Sequence, residues 1–433
     1  MKTTPAVPFS RRQFLKAGSA ATLLPLVGAL PSVFAAGTDR IRVGLVGCGG
    51  RGQGAVRNCL AADRSVQIVA LADLFPDRLD AAMTEFTKGS DGDEPRPPLP
   101  ADQFAVTRVR CFTGFDGYRQ VLDSGIDLVI LATPPHFRPL HIQAAFAAGV
   151  HVFAEKPVAV DPAGARLVMS LADLAAQKKL AFLAGTQRRH SADYLETMAR
   201  VRDGAIGELT GGSCYWLQEG LWHRGRKAGW SDMEYQLRNW LYFTWLSGDH
   251  IVEQHLHNID IMNWAFGGPP VKALGMGGRQ SRTDPKYGNV YDHFAVEFEY
   301  ANGARVHSMC RQAPGTAHRV SERLVGTKGW ADPSGKIEGE PPWRFGNQLK
   351  NPYEQEHIDL IRSIRAGQPI NEGRRIAEST LTAILGRVSA YTGREVSYSW
   401  LLGSSKLDLS PAAYAWGAAP SVEIAVPGVT PLL

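Results

Sequence analysis

The chain is short of paired cysteine, of surplus charge and of long apolar runs. Five cysteines are scattered as Cys48, Cys59, Cys111, Cys214 and Cys310, with no C-x-x-C spacing. An odd, dispersed set makes neither a disulfide framework nor a thiolate metal cluster, and reads as small buried hydrophobes. The formal charge is only +5, and Lys2, Arg11, Arg12 and Lys16 supply four of those charges in a leader without an acid. The remainder is close to neutral, so no basic patch invites nucleic acid. The apolar run from Ala20 to Phe34 is short for a spanning helix. It follows Ser10-Arg11-Arg12-Gln13-Phe14-Leu15-Lys16, a twin-arginine signal, and a small-residue cleavage site fits after Ala35. Residues 1–36 are expected to be an export signal, the protein to be periplasmic or exported, and no stable membrane span to remain after removal. A signal retained as an anchor is the alternative.

What is present suffices for two domains: 433 residues, 44% hydrophobic and 21% charged. Ile41 to Val46 is a short apolar strand running into Gly47-Cys48-Gly49-Gly50-Arg51-Gly52, a GxGxxG. A helix-like segment spans Gly54 to Ala62, and a second strand, Val66 to Ala72, ends on Asp73. In this context Gly47 permits the tight turn, Gly49 and Gly50 admit a pyrophosphate, and Gly52 lets the helix pack closely. The helix N-terminus receives the negative charge. Asp73 stands where a carboxylate bonds the adenosine ribose and repels a 2′-phosphate, with no immediate arginine to offset it, so NAD is expected over NADP.

The βαβ rhythm continues. Asp77 to Phe86 reads as a helix, residues 88–103 as a polar, proline-rich loop, and Ile126 to Ala132 as a strand buried on both faces. That strand ends in Thr133-Pro134. Pro139 to Gly149 is a helix, and His151 to Ala154 a strand whose end carries Glu155-Lys156-Pro157. Ligands of open parallel sheets bind at such strand ends, which places Thr133, Pro134, Glu155 and Lys156 with the glycine loop.

This order of motifs resembles the Gfo/Idh/MocA oxidoreductases: GxGxxG, Thr133-Pro134 through His141, then Glu155-Lys156-Pro157. "RVRDGAIGEL" (200–209) and "AYTGREVSYSW" (390–400) extend the likeness over most of the chain after the leader. The resemblance implies a Rossmann domain followed by an α+β domain with an open, mostly antiparallel sheet. It implies tightly held nicotinamide cofactor and a homo-oligomer, a dimer or tetramer. It places Lys156 beside the nicotinamide and the reacting carbinol, where a basic group stabilises developing alkoxide. The family's D-x-G-x-H-x-x-D segment falls on GDHIVEQHLHNID (248–260), with Glu253 at the first acid, His257 at the histidine and Asp260 at the last acid. His255 stands where the family has glycine, and Asp249 at an upstream glycine. The His255 replacement puts pocket shape, and hence substrate, in doubt.

Spacing alone also pairs Glu253 with His257, since i and i+4 share a helix face. A carboxylate on one imidazole nitrogen leaves the other free to take an alcohol proton. A buried structural histidine is the bland alternative. His250, Glu253, His257 and Asp260 mix metal-ligand types, but this is not HExxH and no cysteine supports it, so no metal is expected. Five of the ten tryptophans, Trp216, Trp222, Trp230, Trp240 and Trp245, crowd between residues 215 and 245. Such faces suit sugar rings, which makes Trp222 and Trp230 candidate substrate contacts with Asp260 and with Arg188 and Arg189, near a family strand end. An oligomer interface or lid is the alternative.

The expected domains are a signal at 1–36, an NAD-binding Rossmann domain at 37–157, an α+β domain for substrate and oligomerisation at 158–400, and an irregular tail at 401–433. The expected function is NAD(P)-dependent hydride transfer at a hydroxyl carbon of a small carbohydrate, glycoside or polyol. Lys156, His257 and Glu253 are its catalytic candidates. A redox-neutral glycosidase or lyase working by transient sugar oxidation, as in glycoside hydrolase family 109, is the alternative. A non-catalytic sugar-binding relative is the third reading.

Overall fold

The computed structural model describes residues 39–91 and 95–433. The expected twin-arginine signal at 1–36 lies outside the described residues. Among them no helix is long and apolar enough to cross a membrane. The five cysteines are unpaired, four buried and Cys111 only half-buried.

The first sheet is parallel throughout. Its strands are β1 (Ile41–Val46), β2 (Val66–Asp73), β3 (Cys111–Thr113), β4 (Leu128–Leu131), β5 (His151–Ala154) and β6 (Phe182–Ala184), in the order β3-β2-β1-β4-β5-β6. Helices α1 (Gly50–Ala62), α2 (Pro76–Lys88), α3 (Gly117–Leu122), α4 (Arg138–Ala147) and α5 (Pro162–Lys178) connect them. The order reverses between β1 and β4, so their carboxyl ends open on one crevice. Helix α1 begins four residues before its expected start. Gly50 and Gly52 take helical geometry, and the N-cap Gly49 brings no side chain to the first turn.

The sheet does not end at the expected boundary of 157. Lys156-Pro157 leads into α5, which Asp161 caps by accepting from the Gly164 N–H at 2.6 Å, and the buried strand β6 then joins the edge of β5. The chain returns here much later: Phe182 N–H donates to Ile370 O and Glu372 N–H to Phe182 O, each at 2.8 Å.

The second sheet has nine strands. Helix α6 (Ala192–Arg202) precedes β7 (Leu209–Gln218), and α7 (Asp232–Arg238), α8 (Thr244–Ser247), α9 (His250–Glu253) and α10 (Leu256–Phe266) follow. Then come β8 (Lys272–Gly278), β9 (His293–Glu299), β10 (Arg305–Gln312), β11 (Arg319–Gly326), β12 (Gly329–Asp332), β13 (Lys336–Glu338) and β14 (Trp343–Arg344). Helices α11 (Pro352–Arg365) and α12 (Gly373–Thr392), strand β15 (Val396–Ser397) and helix α13 (Tyr398–Gly403) complete it. The order is β14-β13-β12-β11-β7-β10-β9-β8-β15, antiparallel except for β7 with β10. Period-2 alternation decides its faces. Phe294, Val296 and Phe298 of β9 and Val306, Ser308 and Cys310 of β10 point inward, where α9 and α12 cover them. The other face stays open, with Leu274, Met276, Met309 and Val325 exposed. The hairpin at Asn302-Gly303 forms as expected, with Gly303 at φ 81°.

Candidate active site

A cavity of about 590 Å³ runs along the crevice, and Gly47, Gly49, Gly50, Gly52, Asp73, Thr133, Pro134, Glu155 and Lys156 all line it. The glycines are required sterically. Gly47 has φ 101°, and a Cβ there would sit 2.6 Å from the Ala132 backbone. A Cβ at Gly52 would sit 1.9 Å from the Gly47 carbonyl oxygen. At Gly50 nothing lies within 4 Å. The first turn of α1 therefore faces open space with free N–H groups, the environment a pyrophosphate needs. The residues present fit a dinucleotide.

At the adenosine end the Asp73 carboxylate accepts from Cys48 N–H at 2.7 Å and Phe75 N–H at 3.0 Å. It locks the glycine loop to the end of β2 and keeps lone pairs for ribose hydroxyls. No arginine follows Asp73 immediately, but Arg78, in the first turn of α2, lines the same wall and feels the Asp73 charge. Four residues separate them in sequence, but a helical turn folds them together.

The other end holds the reactive groups. The Lys156 ammonium donates to the Glu253 carbonyl oxygen. Burial lowers its pKa to about 8, against the pull of the Glu253 and Glu155 carboxylates. Arg51, at a variable position of the glycine motif, ion-pairs with Glu155 at 2.5 Å and lies over the Tyr353 ring at 4.8 Å. Buried Arg138 donates to Pro157 O and to Thr133 O, the latter at 2.8 Å, tying two strand ends together. His257 lines the cavity and stacks on Trp216, ring centroids 5.9 Å apart. Burial first, then the charges of Lys156, Arg188 and Arg51, push its pKa well below the usual histidine range. The imidazole is neutral at physiological pH.

The expected contact between Glu253 and His257 does not form. The helix breaks after Glu253: Gln254 adopts φ −121°, and His255 N–H bonds back five residues to His250 O at 3.0 Å. That wider turn ends the i,i+4 relationship. The Glu253 carboxylate instead faces Lys156, His250 and Arg282, and among the described residues no hydrogen bond joins it to His257. His255 is fully buried against Ser308 Oγ at 2.8 Å, so it does not shape the cavity as expected.

Asp260, Arg188 and Arg189 are also corrected as substrate contacts. Asp260 is fully buried and takes a fork from Arg189 at 2.8 and 2.9 Å, with Arg375 and Ser379 beside it. Arg188 pairs with Glu322. None of the three lines the cavity. Their partners lie 71 to 134 residues away, which no local pattern reveals. Trp222 does line it, but beside Arg224, whose charge acts on Arg78, and so towards the adenosine end. Trp230 lies off the cavity, stacked with Arg238 at 4.9 Å. Gln187, Gln254 and Tyr353 join Lys156 and His257 in the cavity wall, and Gln187 donates to the Tyr353 hydroxyl at 3.1 Å. Among the described residues no His, Cys, Asp or Glu group has the arrangement to hold a metal ion.

Residues 41–185 match a family model described as an oxidoreductase family with an NAD-binding Rossmann fold. Residues 194–332 match the GFO/IDH/MocA C-terminal domain. Inositol 2-dehydrogenase of Acidothermus cellulolyticus is 24% identical over 294 residues, 67% of this chain and 72% of that protein. A glycosyl hydrolase family 109 protein of Shewanella pealeana is 30% identical over 234 residues, 49% of this chain and 47% of that protein. Aldose-aldose oxidoreductase from Caulobacter crescentus shares the fold, with a TM-score of 0.62 at 19% identity over 83% of this chain and 99% of that one.

Proposed function

The chain belongs to the Gfo/Idh/MocA family of NAD-binding oxidoreductases, and we propose that it oxidises or reduces a hydroxyl-bearing carbon of a sugar, glycoside or polyol. One observation carries this: Lys156 stands at the end of β5, inside the dinucleotide cavity and beside His257. Bound NAD would supply the hydride acceptor. Gly47, Gly49, Gly50, Gly52 and Asp73 would hold it, with Thr133 and Pro134 along its flank. The Lys156 amine, poised near neutral pH, takes the hydroxyl proton and then offsets charge on the oxygen. The neutral His257 imidazole holds that oxygen by a hydrogen bond and fixes the carbon's orientation. Glu253 acts through its carbonyl on Lys156 rather than through its carboxylate on His257. Inositol 2-dehydrogenase supports a polyol, and aldose-aldose oxidoreductase supports the broader sugar class. The test is to purify the protein, assay for co-purifying NAD, and follow reduced-nicotinamide absorbance with a panel of polyols and aldoses. If Lys156→Ala and His257→Ala both keep full turnover on the sugar found, the assignment fails.

A second reading is favoured by the aromatic walls of the adenosine end. Leu221, Trp222, Arg224 and Trp240 of the tryptophan-rich segment, with Phe75 and Phe115 behind, wall in that half of the cavity. A cofactor held along such aromatic walls suits a reaction that regenerates it in place, and the family 109 likeness points the same way. Release of sugar or aglycone without accumulation of reduced nicotinamide would select this redox-neutral reading. The twin-arginine leader supports export to the periplasm. The exposed apolar positions of the second sheet, Leu274, Met276, Met309 and Val325, support association of two copies. Light scattering of the purified protein tests that.

A further inference from the structure

The proposed chemistry needs two distant segments in register: the β5 end bearing Lys156, and the stretch bearing Glu253 and His257. Asp249 lies at their junction. Its backbone, φ 73° and ψ 163°, occupies a region that is essentially glycine's own. Such a conformation persists only where the surroundings over-determine it, and here they do. Asp249 is fully buried. One carboxylate oxygen accepts from His250 N–H at 2.6 Å and meets its Nδ1 at 3.0 Å. The other accepts from Tyr291 N–H at 2.8 Å and the Tyr391 hydroxyl at 2.5 Å. The Asp249 carbonyl accepts from Val252 and Glu253 N–H, each at 2.9 Å, and so starts α9. Arg387, the largest fully buried side chain, donates from Nη1 to Gly248 O at 2.9 Å and to Val160 O at 2.8 Å. One guanidinium thus clamps the loop after Lys156 to the residue before Asp249.

We infer that Asp249 is a positioning residue for Lys156. Its carboxylate fixes the start of α9, and α9 is short enough that its last carbonyl, on Glu253, goes where that start sends it: onto the lysine ammonium. This rests on the reading of Lys156 as the group at the reacting oxygen. The groups around Lys156 are Glu253 and Glu155, which favour its charged form, Arg138 and Arg51, which oppose it, and the neutral His257 imidazole. Those facing Asp249 are His250, Tyr291, Tyr391, Arg387, Arg279 and Cys310. Helix α9 supplies both the carbonyl and the Glu253 carboxylate. If it turns away, Lys156 loses two interactions that hold its proton.

The test uses trace acetic anhydride on the purified holoprotein across a pH series, with the Lys156 peptide read by mass spectrometry. Asp249→Gly suits the backbone angle but deletes the carboxylate. Its half-labelling pH is expected to fall by about one unit, a tenfold change in proton affinity, with cofactor content retained. Asp249→Asn, which keeps the shape and an acceptor, is expected to recover part of the shift. A folded Asp249→Gly protein that labels at the parent's pH, or above it, overturns the inference. If that variant does not fold, Tyr391→Phe removes one donor to Asp249. A smaller shift in the same direction supports the inference, and no shift overturns it. Labelling requires no turnover. Full activity in Lys156→Ala would therefore remove the proposed reaction while leaving the geometric result intact.

Discussion

The ammonium of Lys156 and the carbonyl oxygen of Glu253 meet across 97 residues of sequence. This contact joins the dinucleotide domain to the broken helix of the second domain at the point where the chemistry is placed. It also sets the lysine's surroundings, where burial outweighs the pull of Glu253 and Glu155 and lowers the pKa to about 8. In the unfolded chain a lysine titrates near 10.4. The folded state binds fewer protons between these values, so stability rises with pH across that window. Below about 8 the protein carries a buried charge at a cost on the order of 1–3 kcal/mol. Lys156→Met is therefore expected to lose turnover and yet to be at least as stable as the parent at pH 6–7. The difference should fade as pH rises past 10. Denaturant unfolding at several pH values measures it, and a Lys156→Met protein destabilised by several kcal/mol at pH 6 sinks the idea.

His257 gives the complementary expectation. Burial and three nearby cations hold the imidazole neutral, far below its ordinary titration range. A turnover profile in the oxidation direction should then show one limb near 8, from Lys156, and none near 6.5. NMR of the imidazole should show no titration between pH 5 and 8. His257→Ala should reduce kcat by about 10²-fold or more through loss of oxygen positioning. A limb near 6.5 that vanishes in His257→Ala would return the base role to the histidine.

The dinucleotide half was legible because its information is local. A strand, a glycine turn, a helix and Asp73 follow one another within about thirty residues, and Gly52 packs against the Gly47 carbonyl inside that same unit. The limits of this reading are equally physical. Gln254 breaks a helix that periodicity alone would continue, because His255 turns inward to Ser308, 53 residues away. Arg188 and Arg189 look like free cations until Glu322 and Asp260 arrive from other strands and helices to neutralise them. Arg51 was hidden in a motif position that tolerates any side chain. Only the fold brings Glu155 and Tyr353 to it.

Gly52 offers a sharp steric test. A methyl group there would lie 1.9 Å from the Gly47 carbonyl oxygen and 3.3 Å from the Ala132 side chain. Backbone cannot rotate aside as a side chain can, so α1 must move off β1. Gly52→Ala is expected to cost about 1–3 kcal/mol of stability and to leave the purified protein without NAD. Gly50→Ala meets nothing within 4 Å and should fold with the parent's melting temperature. Equal melting temperatures for Gly52→Ala and the parent would mean that the close helix–strand approach is not built as described.

The C-terminal tail should govern how long the cofactor stays. The Tyr414 hydroxyl meets His136 Nε2 at 2.8 Å, and its ring lies 5.7 Å from Phe137. Trp416 packs on Phe115 at 5.2 Å and Phe75 at 5.9 Å. These three phenylalanines line the cavity near the adenosine end. The tail also holds the tryptophan-rich segment, since Met233 N–H donates to Gly417 O at 3.0 Å and Gln236 to Pro420 O at 3.1 Å. From that segment Arg238 reaches back over Phe75 at 3.9 Å and forks onto Asp77 at 2.9 and 3.0 Å. Opening the adenosine end must break these contacts together. Each aromatic pair contributes about 0.5–1.5 kcal/mol beyond its buried area, and every 1.4 kcal/mol is tenfold in rate. Replacing Tyr414 and Trp416 together by alanine should therefore speed NADH release about tenfold or more, while Lys156 and His257 stay in place. Stopped-flow displacement of bound NADH by excess NAD, read by nicotinamide fluorescence, measures the rate. If release from the double variant matches the parent, the tail decorates the surface and something else retains the dinucleotide.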